Sequence, residues 1–209
     1  MTPLEPMYSL HERIWHWLQA LAMILLILTG FSMHYAGRFT IFGGMKGDVL
    51  WHSWIGFFLI LNALLGIFYH FTADKYHHYI PRMDDFTTGA IKQIKFYLFG
   101  IFKGEKHPME TDPRKKLNSL QKLTYLGLLG VLIPFQIVTG VMMWGATRWP
   151  EAFAKVGGMK VLAPAHTLGA YLFLAFIIVH VYLTTTGNTP FALLRAMITG
   201  YQTPKSERE

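Results

Sequence analysis

The chain has 209 residues, 52% of them hydrophobic and 15% charged, where a soluble domain carries roughly one quarter charged residues. It has no cysteine, which excludes structural disulfides, thioether-attached cofactors and thiolate-held clusters. A net charge of +7 would suit nucleic acid in a soluble protein, but here the charges flank four long apolar stretches, so lipid and not nucleic acid is the expected partner.

Those stretches, Ile14–Gly37, Val49–Ala73, Leu123–Thr147 and Val161–Leu194, hold no Asp, Glu, Lys or Arg. Each exceeds the roughly 20 residues that an α-helix needs to cross the hydrocarbon core. The expected fold is all-α: a four-transmembrane-helix bundle forming one domain over residues 1–209. The first helix is expected over 14–35. Its apolar run is too long for a signal peptide and no small-x-small site follows it, so it reads as a retained span. A glycine-rich loop over 36–48 leads to a second helix over 49–70. In the long connection that follows, Ile91, Ile94, Leu98, Ile101 and Phe102 recur at helical spacing with Lys92, Lys95 and Lys103 on other faces, the pattern of an amphipathic helix on the membrane surface. Pro108, Pro113 and many charges make 104–116 a loop. A third helix is expected over 119–144, kinked at Pro134, then a loop over 145–164, a fourth helix over 165–185 and a short interfacial helix over 191–198. Fourteen of the nineteen Lys and Arg residues fall in the two tails and the 74–122 connection, which places both termini in the cytoplasm.

Ten histidines are present, several of them inside the spans, where an ionisable side chain is costly and is treated as functional. His166 and His180 lie fourteen residues apart on the fourth helix. At about 100° and 1.5 Å per residue they share a face and stand roughly 21 Å apart along the axis. In an up-down bundle the start of the first helix is level with the end of the fourth, which pairs His16 with His180. The starts of the second and fourth helices are level, which pairs His52 with His166. Two imidazoles on each iron saturate its axial positions and suit electron transfer, so two stacked haems are expected. His34 and His70, at the ends of the first two helices, are alternatives for a ligand position. His11 points away from His16, and His77, His78 and His107 lie in polar loops. Gly30, Gly56, Gly140 and Gly169 permit close approach of a macrocycle, or ordinary helix packing. Arg13 is placed to meet inner propionates, and Arg148 or Lys160 outer ones; solvated flanking charge accounts for them equally. A histidine-lined metal transporter is the rival reading, although such paths also use carboxylates or thiolates, which the spans lack.

The segments Arg13-Ile-Trp-His16-Trp17, Leu28-Thr-Gly30, His52-Ser-Trp-Ile-Gly56, Asn118-Ser-Leu-Gln121-Lys122 and Thr139-Gly140, followed by His166 and His180, occur in an order that resembles the di-haem cytochrome b membrane subunits of bacterial respiratory oxidoreductases. These are the formate dehydrogenase gamma, nickel–iron hydrogenase b-type and thiosulfate reductase cytochrome b subunits, cytochrome b561-like proteins. The run from Tyr97 to Gly104 leans toward the thiosulfate reductase branch. The resemblance implies haem b ligation by His16 and His180 on the inner side and by His52 and His166 on the outer side. It implies a quinone site at Asn118 and Gln121, with Leu120 standing where some relatives have glycine. Asn118 is also a good helix N-cap. It further implies an iron–sulfur or multihaem redox subunit on the periplasmic side, location in the bacterial inner membrane, and no catalytic centre beyond quinone chemistry.

Overall fold

The computed structural model describes residues 6–74, 76–105, 108, 117–187 and 189–201. Among these residues the regular structure is helical, and four helices are long and apolar enough to cross a membrane. The protein is a multi-pass membrane protein. Its helices are α1 (Leu10–His34), α2 (Met45–Thr72), α3 (Ala90–Lys95), α4 (Ser119–Gly127), α5 (Ile133–Trp144), α6 (Pro150–Lys155), α7 (Gly158–Thr184) and α8 (Ala192–Thr199). The third span, Ser119–Trp144, comprises α4, a π-helical turn at Leu128–Leu132 and α5. The turn ends two residues before Pro134, whose missing N–H and ring oppose a regular α-helix at this point.

The spans extend beyond the charge-free stretches. α1 begins at Leu10 rather than Ile14 because Ser9 and Glu12 form a capping box: Ser9 Oγ accepts from Glu12 N and Glu12 Oε2 accepts from Ser9 N at 2.7 Å. α2 begins at Met45, so Asp48 belongs to its first turn rather than to the loop. This carboxylate is fully buried. It accepts from the Ser32 hydroxyl and from the backbone amides of Ile41 and Phe42, which fixes the α1–α2 connection. α7 begins at Gly158, not Ala165, and carries Pro164 within it; the expected 145–164 loop also contains α6, with Pro150 in its first turn.

α1 packs along α2. The Trp15 indole donates to Asn62 O at 2.8 Å, and the Asn62 amide donates to Gln19 Oε1 at 2.7 Å. Gly66 provides the space for that indole. α5 packs on α7, α1 also meets α7, and Phe57 of α2 touches Trp144 of α5. One end of the bundle gathers the starts of α1 and α4 and the ends of α2 and α7. There α8 is pinned to α1: Arg13 donates to Ile198 O, Trp17 Nε1 to Met197 O, and Tyr8 N to Gly200 O. We call this the terminal end. The surface segment is α3 flanked by π-turns at Asp85–Gly89 and Phe96–Gly100, then a 3₁₀ turn at Ile101–Lys103. It buries Ala90, Gln93 and Phe96 and exposes Ile91, Ile94, Leu98, Phe99 and Phe102. Asp85 ties it to the third span by accepting from Ser119 Oγ and pairing with Lys122 at 3.2 Å. Pro108 apart, most of the expected 104–116 loop lies outside the described residues.

A Cβ on Gly66 would lie 2.5 Å from the Trp15 ring. Gly66→Leu is therefore expected to expel the indole and lower stability by about 1–3 kcal/mol, read as a lower thermal midpoint in detergent, with Gly66→Ala intermediate. An unchanged midpoint in both variants would show that this contact does not hold α1 on α2.

Candidate functional site

Four of the intramembrane histidines stand in two facing pairs. His16 of α1 faces His180 of α7 with ring centroids 6.2 Å apart, at the terminal end. His52 of α2 faces His166 of α7, also at 6.2 Å, at the opposite end. A metal–imidazole bond of about 2 Å, with about 1 Å more from nitrogen to ring centre, puts two axial imidazoles about 6 Å apart. The separations therefore fit one metal centre between each pair.

The tautomers are fixed at the second pair. Thr29 Oγ1 lies 2.7 Å from Leu25 O and 3.2 Å from Leu26 O. Carbonyls only accept, so the single hydroxyl hydrogen is directed there. Toward His52 Nδ1, 2.8 Å away, the hydroxyl must accept, so Nδ1 carries the hydrogen and Nε2 keeps its lone pair. Thr139 repeats the arrangement, donating to Phe135 O at 2.9 Å and accepting from His166 Nδ1 at 2.9 Å. Gly30 and Gly140, each following one of these threonines, lie beside the histidine rings; a Cβ would come 3.6 Å from His52 Cε1 and 3.1 Å from His166 Cε1. Gly169 instead admits the Gln136 side chain, and Gly56 packs near Leu26.

The Gln136 amide lies 3.1 Å from His166 Nε2 and donates to His166 O at 3.1 Å. It occupies the lone pair that a metal would take and must withdraw for ligation. At the terminal-end pair, His16 Nδ1 is buried with no hydrogen-bond partner among the described residues, and His180 stacks on Phe176. Between the pairs lies an apolar cluster of Met23, Ile27 and Phe173. Phe173 sits seven residues from each α7 histidine, on the same helix face.

The other expectations resolve as follows. His70 is engaged at both nitrogens: Nδ1 donates to Gly66 O at 2.7 Å, and Nε2 accepts from the Tyr79 hydroxyl at 3.1 Å. His34 lies at the other end of α1, beside Tyr35, and lines a groove with Pro164, Thr167 and Tyr171. His11 packs on Tyr69, and His77 pairs with Asp74; His107 and the side chain of His78 lie outside what is described. Arg148 stacks over Trp144. Asn118 and Gln121 come together as a capping box for α4: Asn118 Oδ1 accepts from Gln121 N at 2.8 Å and Gln121 Oε1 from Asn118 N at 2.9 Å. The Asn118 amide donates to the Tyr97 hydroxyl at 3.2 Å, and that hydroxyl also bonds the Thr186 side chain. Burial raises the Tyr97 phenol above its ordinary pKa. Thr29, Thr139, Gln136 and Tyr97 are the polar groups at these sites that sequence reasoning misses. The repeated Thr-Gly dipeptide is the one signal that could have pointed to two of them.

Residues 7–200 match the prokaryotic cytochrome b561 family. The chain belongs to that family. It is 35% identical over 199 residues to the cytochrome YdhU of Escherichia coli K12, covering 93% of this chain and 73% of the relative. It is 24% identical to the protein-methionine-sulfoxide reductase subunit YedZ1 of Azospira oryzae, covering 94% and 99%. It is 23% identical to a Ni/Fe-hydrogenase B-type cytochrome subunit of Cupriavidus necator, covering 95% and 86%. The protein is thus a membrane cytochrome b, and its chemistry is electron transfer through b-type haem.

For a cytochrome b, the tight approach at Gly140 has a measurable consequence. Gly140→Val is expected to push the His166 ring aside and reduce haem content per folded chain. Full haem content in the variant would show that this glycine does not shape the site.

Proposed function

We propose that this cytochrome b holds two haems, one between His16 and His180 and one between His52 and His166, and moves electrons across the membrane between a quinone and a redox partner. The observation that carries this reading is the pair of facing imidazole couples with matched 6.2 Å separations. Among the described residues no group of three or more His, Asp or Glu is placed to hold an ion. Bare metal ions take four or more ligands, whereas two imidazoles suffice where a macrocycle supplies the equatorial four. A bis-imidazole haem supplies one-electron chemistry with no open position for substrate.

The chain's own residues set the rest. α7 contributes one ligand to each couple, which fixes their spacing. Thr29 and Thr139 fix Nε2 as the ligating nitrogen of His52 and His166, with Gln136 withdrawing from that of His166. Met23, Ile27 and Phe173 form an apolar cluster between the couples, which counts against the metal-transport reading. The positive charge of the tails and of the 74–122 connection supports a cytoplasmic terminal end in a bacterial inner membrane. Asn118, Gln121 and Tyr97 lie at that end and form the proposed quinone site. The hydrogenase and reductase names of the relatives support a partner subunit that carries further redox centres. We place it at the outer face, next to the His52–His166 haem.

Reduced protein is expected to show a b-type spectrum with two haems per chain. His180→Ala is expected to lose the haem at the terminal end and keep the other. A folded, colourless protein would contradict the reading, and equal loss of both haems in a folded variant would contradict the pairing.

A further inference from the structure

The two couples differ in what stands behind their ligands. At the outer couple both imidazoles donate Nδ1–H to a threonine hydroxyl, at 2.8 Å from Thr29 and 2.9 Å from Thr139. Each hydroxyl in turn donates into the backbone of its own helix, at Leu25 O and Phe135 O. Such chains polarise along their length, so each threonine oxygen is a better acceptor than an isolated hydroxyl. At the other couple the environment is aromatic. His16 Nδ1 is buried with no partner among the described residues, and its ring meets Trp17 edge-on. His180 stacks on Phe176 with centroids 5.5 Å apart.

An acceptor on Nδ1–H raises the basicity of the ligating Nε2. A more basic ligand favours the ferric state, which carries one positive charge more than the ferrous state. Two such acceptors act on the outer couple. None is present at His16 among the described residues.

We propose that Thr29 and Thr139 make the haem at the His52–His166 couple the lower-potential of the two, so that the built-in gradient carries electrons from the outer face toward the terminal end. This rests on the two-haem reading above and adds to it the residues that set the order of potentials. Thr29 and Thr139 are positioning residues: they touch the ligands, not the iron. The two hydroxyls come from different spans, α1 and α5, and each acts on a ligand from its neighbour, α2 or α7. Their contributions are therefore separable.

The test is redox potentiometry of the purified, haem-loaded full chain, with the outer haem's step assigned as the one that survives in His180→Ala. In the unsubstituted protein that step is expected to be the lower of the two. Thr29→Val and Thr139→Val keep the side-chain shape and remove the acceptor. Each is expected to move the lower step upward by about fivefold in the one-electron equilibrium constant, the size of one neutral hydrogen bond. The double variant should move it by the product, with the other step unmoved. Thr29→Ser and Thr139→Ser restore a hydroxyl and are expected to titrate like the unsubstituted protein. A lower step that stays put or falls, two steps that move together, or an outer step that is the higher one from the start would overturn the inference while leaving two haems in place. A folded chain that takes up no haem would overturn the two-haem reading and this inference with it.

Discussion

A histidine in a helix crossing lipid is costly unless its imidazole nitrogens find partners, because an unpaired polar group in hydrocarbon is unfavourable. That constraint organises this protein. His70, outside the facing couples, has both nitrogens used locally, by Gly66 O and Tyr79. Where histidines face each other, the ring centroids stand 6.2 Å apart in both couples, and at the His52–His166 couple each Nδ1 is anchored by a threonine. The fourteen-residue spacing on α7 repeats this arrangement at both ends of the bundle, and the cluster of Met23, Ile27 and Phe173 separates the two sites.

Much of this is legible in the sequence because the bilayer simplifies the code. Charge-free stretches locate the four spans, and the level-matching of an up-down bundle is enough to pair His16 with His180 and His52 with His166. The ends of the helices are less legible. Absence of charge marks the hydrocarbon crossing, whereas the helix itself continues into the interface until a cap stops it. Ser9 and Glu12 start α1 four residues early. α7 runs through Lys160 and Pro164, which look like loop residues by composition. Asp48 reads as a loop charge but is a buried anchor within α2, sustained by donors from Ser32, Ile41 and Phe42 that lie close to it only once the chain folds.

The polar groups that contact the paired histidines are the least legible. A threonine inside a span is expected to bond its own helix backbone, and Thr29 and Thr139 do so. Only the structure shows that the same oxygen also accepts from a histidine on a neighbouring helix. Gln136 reaches His166 across thirty residues. Tyr97 comes from the surface segment to meet Asn118 at the start of α4 and Thr186 beyond the end of α7. Sequence locates the facing histidines because their spacing follows helical periodicity; their supports come from contacts between helices, which no spacing rule encodes.

In the proposed reading the division of labour is that of an electron conduit: α7 would set the distance between the centres, α1 and α2 carry the opposing histidines, and the third span supplies supporting polar groups. The most direct test of the central claim is low-temperature electron paramagnetic resonance of the oxidised, purified chain. Two imidazole couples predict two low-spin ferric signals of comparable intensity and no high-spin iron. A single low-spin signal, or a high-spin signal from iron with an open axial position, would contradict the account.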